Sequence, residues 1–82
     1  MHSSEQKLKS AFQTVLGLNG STDFSKVAYG QTQGWDSVAH MALVAEIETQ
    51  FDIMLETEDV IDLSSFERGK EILSTKYGVE FA

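Results

Sequence analysis

The chain contains no cysteine and no proline, and only six of its 82 residues are lysine or arginine. Without cysteine it can form neither disulfides nor thiolate metal sites, which excludes a disulfide-stapled secreted module. The sequence has no apolar run long enough to span a membrane, and its start lacks the basic-then-apolar order of a signal peptide. We therefore expect a cytoplasmic protein without a membrane partner.

Basic residues are absent from the middle of the chain, residues 27–67, where acidic residues are frequent. The net charge of −7 argues against nucleic acid or an anionic membrane as a partner. A solvated acidic surface that keeps a small protein in solution would be the plainer interpretation. Because the acids surround the central serine described below, we favour a role in steering basic partner proteins.

The length and the apolar spacing predict one all-α domain over residues 1–82. Apolar residues recur at offsets of three and four over Ser4–Leu16, over Ser37–Phe51 and in a last helix capped by Ser64 and ended by Gly78. Residues 56–62 read as one or two helical turns. No strand pattern is present, so we expect an antiparallel bundle of three main helices and one short helix.

The predicted core collects the inward apolar positions of these helices. It comprises Leu8, Phe12, Val15, Leu43, Ile47, Phe51, Ile61, Phe66, Ile72 and Leu73. The polar connection over residues 18–34 is long for so small a domain, and we expect Phe24, Val27 and Tyr29 to hold it against the core.

Two helix-capping residues stand side by side at the start of the second helix, Asp36 and Ser37. Either side chain can accept a bond from an orphaned backbone N–H at a helix start, and one such cap suffices. The other side chain is then free to face solvent at the positive end of the helix dipole. A phosphate group would be well placed there.

A second face of this helix carries Val38, Met41, Ala45 and Glu48 at helical spacing. It is partly apolar yet lies away from the predicted core stripe, as expected of a docking surface with an acidic rim. Val38 and Met41 could instead complete a wide core stripe. For Met41 the sequence favours neither interpretation.

Residues for unaided catalysis or metal binding are few. His40 follows Ser37 by three residues, but a catalytic serine also needs an acid that orients the histidine and an oxyanion pocket, and neither is evident. His2 and His40, without cysteine, form no zinc pattern. We therefore predict no enzyme and no metal site, with His40 solvated and Trp35 packed against the bundle.

The motif Asp36-Ser37-Val38 follows Gly34-Trp35 and precedes Leu43, Ile47, Glu48 and Phe51. In this pattern the chain resembles the acyl carrier protein family from about Leu8 to Tyr77. The resemblance implies that Ser37 carries a 4′-phosphopantetheine arm transferred from coenzyme A, whose thiol holds an acyl group as a thioester. It also implies that Asp36 helps to place metal or charge during that transfer.

The resemblance implies partners as well: a phosphopantetheinyl transferase, a loading ligase and acyl-transfer or synthase enzymes. We expect a monomer whose contact face is the set Val38, Met41, Ala45 and Glu48. Additional electrostatic steering would come from Glu46, Glu56 and Asp59.

Two departures from the family pattern bear on the cargo. Val38 replaces the usual leucine after the serine, and the second helix has Ala42, Thr49 and Gln50 at outward positions. Both point away from the central fatty-acid carrier and towards a specialised pathway, and the resemblance of Trp35-Asp36-Ser37 to stand-alone carriers favours that type. An aminoacyl carrier of the D-alanyl or peptidyl type is an alternative, but the peptidyl Gly-Gly-x-Ser motif is absent, which favours an acyl cargo. A second alternative is an unmodified helical adaptor, which would not need Ser37.

Overall fold

The computed structural model describes residues 3–81 and contains four α-helices in that range. They are α1 (Ser4–Leu16), α2 (Ser37–Phe51), α3 (Thr57–Asp62) and α4 (Phe66–Lys76), with a 3₁₀ turn at Phe24–Lys26. Within the described range no strand is formed. The prediction of a small all-α bundle is confirmed. Met1, His2 and Ala82 lie outside the described residues.

Local capping sets the ends of the helices. The Ser3 hydroxyl accepts the Gln6 N–H at 3.1 Å, and Gly17 ends α1 in the left-handed conformation at φ 68°. The predicted cap of α4 is wrong by one residue, because the Ser65 hydroxyl, and not that of Ser64, accepts the Arg68 N–H at 3.0 Å. The bounds predicted for α1 and α2 are confirmed.

Phe12 lies at the centre of the core. Its ring packs edge-on against Trp35 at 5.4 Å and against Phe66 at 5.2 Å, both favourable aromatic geometries. The prediction that Trp35 is a packing residue is confirmed, since it is only 3 % exposed. One predicted core residue is wrong: Ile61 is 75 % exposed, because α3 turns its Val60 side chain towards the bundle instead.

The long connection between α1 and α2 is attached to the segment that joins α3 and α4. Phe24 and Val27 are buried, as predicted, whereas Tyr29 is 45 % exposed and meets the core only through the edge of Trp35. The Val27 carbonyl accepts the Phe66 N–H at 3.0 Å. The Tyr29 N–H donates to the Ser64 carbonyl at 2.8 Å. These bonds fix the connection beside α3 and place its last residues at the start of α2.

Leu63, the residue that follows α3, packs closely on α4 at Gly69. A Cβ atom on Gly69 would lie 3.1 Å from Cδ1 of Leu63, tighter than ordinary van der Waals contact. The absence of a side chain at Gly69 therefore lets Leu63 pack directly on α4. No helix in the described range is both long and apolar enough to cross a membrane.

Candidate functional site

At the start of α2, the sequence left open which of Asp36 and Ser37 caps the helix and which faces solvent. Asp36 is the N-cap: its Oδ1 accepts the Ala39 N–H at 2.8 Å, and its carbonyl accepts the His40 N–H at 2.8 Å. Ser37 is the first helical residue and is exposed. Its hydroxyl has no hydrogen-bond partner among residues 3–81. The structure therefore leaves the Ser37 hydroxyl free for chemistry.

The environment of this hydroxyl favours an anion. The N–H groups of Ser37 and Val38 belong to the first turn of α2, where the helix offers them no carbonyl acceptor. Together with the helix dipole they provide partial positive charge next to Oγ. The second oxygen of Asp36 is not used in the cap, so one carboxylate oxygen stays available to a cation.

An open groove of about 370 Å³ begins at Ser37 and runs between α2 and α3. Tyr29 of the long connection also lines it, as do Leu63 and Ser64 of the segment between α3 and α4. Its lining is mostly apolar and comprises Tyr29, Ser37, His40, Met41, Val60, Ile61, Leu63 and Ser64. We call this feature the Ser37 groove.

A chain of hydrogen bonds forms the floor of the Ser37 groove. The indole N–H of Trp35 donates to Nδ1 of His40 at 3.0 Å, and Nε2 of His40 lies 2.7 Å from the Val60 carbonyl. An indole nitrogen can only donate, so Nδ1 is the acceptor, and Nε2 must carry the proton that it donates to Val60. His40 is therefore a neutral imidazole that ties the start of α2 to α3.

This arrangement corrects the prediction that His40 is a solvated helix residue. The ring is half-buried, lies nearly parallel to the Trp35 ring at an interplanar angle of 16° and meets the edge of Tyr29. Neither the five-residue separation from Trp35 nor the twenty-residue separation from Val60 has a periodic signal in the sequence. Only the tertiary fold brings these residues together.

The same bonds bear on whether Ser37 and His40 could act as a catalytic pair. Both ring nitrogens of His40 are engaged, by Trp35 and by Val60. Neither nitrogen is then free to accept a proton from the Ser37 hydroxyl, as a general base would. Within residues 3–81, no group of three or more potential ligands is placed to hold a metal ion.

The apolar part of the predicted contact face is exposed. Val38 is 79 % exposed and Met41 59 %, and Ala45 is exposed as well. The interpretation of Met41 as a core residue is therefore wrong. Ile61 extends the same apolar surface from α2 onto α3 and was missed, because its position in so short a helix gives no reliable periodicity.

The acidic residues assigned to this face differ in their surroundings. Glu56 is exposed, whereas Glu46 is half-buried and accepts a bond from the Gln50 side chain at 3.0 Å. Glu48 is also half-buried, and its carboxylate accepts the Leu55 N–H at 2.9 Å. Glu48 therefore holds the segment that leaves α2, a role that the sequence did not indicate.

Asp59 cannot act as a surface charge, because it is only 1 % exposed. Its carboxylate accepts hydrogen bonds from Lys76 at 2.7 Å and from the Tyr77 hydroxyl at 2.6 Å. The Tyr77 oxygen in turn accepts the Glu56 N–H at 2.9 Å. The prediction that Asp59 contributes steering charge is wrong: it joins α3 to the end of α4 instead.

The hydrogen bonds around Asp59 shift the pKa values of the groups that they join. The hydrogen bond from Lys76, and then that from Tyr77, holds the pKa of Asp59 below its usual range. Burial, followed by the bond to Asp59, raises the pKa of the Tyr77 phenol. Two other acids of α3 are paired with α4, Glu58 with Lys76 at 3.3 Å and Asp62 with Arg68 at 3.4 Å. The negative field of α3 is therefore weaker than its composition indicates.

Comparison with known proteins gave no family assignment. No protein-family model matches the chain, and neither a curated protein nor a solved structure matches it. The function must therefore be argued from the residues and their geometry.

Proposed function

We propose that this chain is an acyl carrier protein whose attachment residue is Ser37. The observation that carries the proposal is the exposed Ser37 hydroxyl, left without a partner because Asp36 caps α2 in its place. A serine that served only as a helix cap would spend its oxygen on a backbone N–H. The helical bundle, with a long connection before α2 and a short α3, is consistent with an acyl-carrier-like fold.

The residues around Ser37 fit 4′-phosphopantetheine. A phosphodiester on Oγ would lie at the positive end of α2, beside the N–H groups of Ser37 and Val38. The free oxygen of Asp36 would accept a cation brought by the phosphopantetheinyl transferase. When bound, the group supplies a thiol that holds an acyl cargo as a thioester.

Other residues of the chain form the surface that partner enzymes contact. In this proposal Val38, Met41 and Ala45 form an exposed apolar surface that the transferase, the loading ligase and acyl-transfer or synthase enzymes contact. Exposed Glu56 contributes charge at its rim. Both ring nitrogens of His40 are engaged, so in this proposal His40 transfers no proton and the chain carries its cargo without catalysing a reaction on it. We place this carrier in the cytoplasm.

An unmodified adaptor is the second candidate, favoured by the same exposed apolar surface. Val38, Met41 and Ile61 are all well exposed, at 79 %, 59 % and 75 %, and exposed apolar side chains grouped in this way are typical of a contact surface. An adaptor of this kind would bind its partner equally well with alanine at position 37. Partner binding by Ser37→Ala therefore separates the two candidates.

Intact-mass spectrometry tests the proposal. The protein is incubated with coenzyme A, magnesium and a broad-specificity phosphopantetheinyl transferase, in parallel with Ser37→Ala and Ser64→Ala. Ser64 is the matched control because it is exposed and lines the same groove. We expect one phosphopantetheine on the parent and on Ser64→Ala, and none on Ser37→Ala. If folded parent protein stays unmodified with several transferases, the adaptor becomes the better account.

A further inference from the structure

The interior of the bundle has little room for an apolar chain. The void between α2, α3 and α4 measures about 10 Å³, which is close to the ~10–15 Å³ needed to hold one water molecule. Leu63 and Ile72 line it, and so does Asp59, whose carboxylate is held by Lys76 at 2.7 Å. A chain that entered here would displace close-packed side chains and lie against a buried charge. Both effects are unfavourable.

The Ser37 groove offers space outside the bundle instead. Its volume of about 370 Å³ lies at the lower end of the ~300–1,000 Å³ typical of small-molecule sites. Met41 and Ile61 border it and are 59 % and 75 % exposed, so a bound group would remove their side chains from water. Because Ser37 itself lines the groove, a group attached to its hydroxyl starts at the rim.

The floor of the groove favours an apolar or aromatic group over a polar one. His40 would be the obvious polar partner, but Trp35 and Val60 occupy both of its nitrogens. The His40 ring therefore contributes a flat surface, next to Tyr29, whose ring stands nearly perpendicular to it at 5.6 Å. Aromatic groups pack well against such edges and against the sulfur of a methionine such as Met41.

We propose that the Ser37 groove, and not the bundle interior, receives the group carried on Ser37, and that it favours a compact aromatic acyl group over an extended aliphatic chain. The inference rests on the proposed carrier function, because attachment brings the group to the groove. A short flexible tether gives an effective concentration in the millimolar range. A groove that binds the free group with a Kd of about 1 mM is then substantially occupied.

The groove can be tested without any modification of Ser37. The unmodified protein is titrated with phenylacetamide and with octanamide to ~10 mM, the range that tethering would supply, while backbone and methyl NMR shifts are recorded. We expect phenylacetamide to shift the signals of Tyr29, Met41 and Ile61 and to bind more tightly than octanamide. An absence of shifts at these residues would overturn the proposal whether or not the chain is a carrier.

A matched pair of variants locates the binding. Ile61→Ser removes an exposed apolar side chain from the groove, and Met54→Ser does the same at an 83 % exposed position outside it. Both should fold normally, since neither side chain is in the core. We expect Ile61→Ser to weaken phenylacetamide binding about threefold to tenfold, because part of the apolar contact area is lost. Met54→Ser should bind as the parent does, and equal effects of the two variants would contradict the groove.

The tethered group is then examined on protein loaded with phenylacetyl- or octanoyl-phosphopantetheine. Cross-relaxation from the phenylacetyl ring should reach Met41 and Ile61, and no cross-relaxation from the octanoyl chain should reach Ile72 or Leu73. Octanoyl contacts to Ile72 and Leu73 would show that the chain enters the bundle, and the inference would fail while the carrier function stood. If the protein cannot be loaded but phenylacetamide binds the groove, the carrier function fails and the groove remains an aromatic-binding site.

Discussion

The link between Trp35 and His40 allows a stability prediction whose size follows from the structure. Trp35→Phe removes the indole N–H that bonds Nδ1 of His40 at 3.0 Å and leaves that half-buried nitrogen without a donor. An unpartnered acceptor of this kind costs about 1–2 kcal/mol where water has partial access. The smaller ring also leaves space beside Phe12, which adds about 1 kcal/mol. We expect Trp35→Phe to lower the free energy of unfolding by about 2–3 kcal/mol.

A double-mutant cycle isolates the hydrogen bond from the packing. His40→Phe keeps a ring of similar shape but leaves both the Trp35 N–H and the Val60 carbonyl without their partner, so it should cost about 1–3 kcal/mol for each group. Once either partner is replaced, replacing the other can no longer break the bond. The double variant should therefore be more stable than the sum of the single effects predicts by about 1 kcal/mol.

Urea unfolding followed by circular dichroism gives the free energies for the four proteins of the cycle. Tyr29→Phe supplies a control, because Tyr29 touches both rings at 5.6–5.9 Å without a hydrogen bond to either. A cycle between Tyr29→Phe and Trp35→Phe should show additivity within about 0.5 kcal/mol. If the cycle of Trp35 with His40 is also additive within about 0.5 kcal/mol, the hydrogen bond between these two side chains is refuted.

Three further predictions concern the attachment of α3 and the segment before it. The folded-state pKa of Asp59 is lowered, so its ionisation stabilises the fold above the ordinary pKa of 3.8, and this contribution is lost as the pH falls below that value. Asp59→Asn should therefore flatten the acid limb of a profile of unfolding free energy against pH. An unchanged acid limb would refute the stabilising role of the Asp59 carboxylate. Glu48→Ala should lower the unfolding free energy by about 1 kcal/mol, because the Leu55 N–H loses its acceptor; in urea unfolding, equality with the parent would contradict this role. Gly69→Ala should lower the melting temperature. Alanine favours the helix by about 1 kcal/mol, but crowding of its Cβ against Leu63 at 3.1 Å costs about 1–3 kcal/mol. A raised melting temperature would contradict this crowding.

The parts of the fold that local chemistry determines could be predicted from the sequence. The bounds of α1 follow from an apolar stripe that ends at Gly17, and those of α2 from the cap at Asp36. Because one cap satisfies the helix start, the same rule predicts that one of Asp36 and Ser37 stays free, and the structure shows that this residue is Ser37. These features depend on residues no more than four positions apart, where periodicity and capping act.

The features that were missed depend on longer separations. Asp59 meets Lys76 and Tyr77 seventeen and eighteen residues along the chain, so its charge looked exposed in the sequence. Ile61 looked apolar and therefore inward, but α3 is only six residues long, and its rotation is set by tertiary packing that buries Asp59 and turns Val60 to the core. The partners of His40 could likewise be identified only once α3 was placed beside α2.

Locating the added group within the chain tests the central claim most directly. After reaction with coenzyme A and a phosphopantetheinyl transferase, the protein is cleaved before its aspartates, which releases residues 36–51 as one peptide with Ser37 and Thr49 as its only hydroxyl side chains. Fragmentation should place a single phosphopantetheine on Ser37 in the parent and detect none in Ser37→Ala. A group found on Thr49 or on another peptide, or one that persists in Ser37→Ala, would contradict the account.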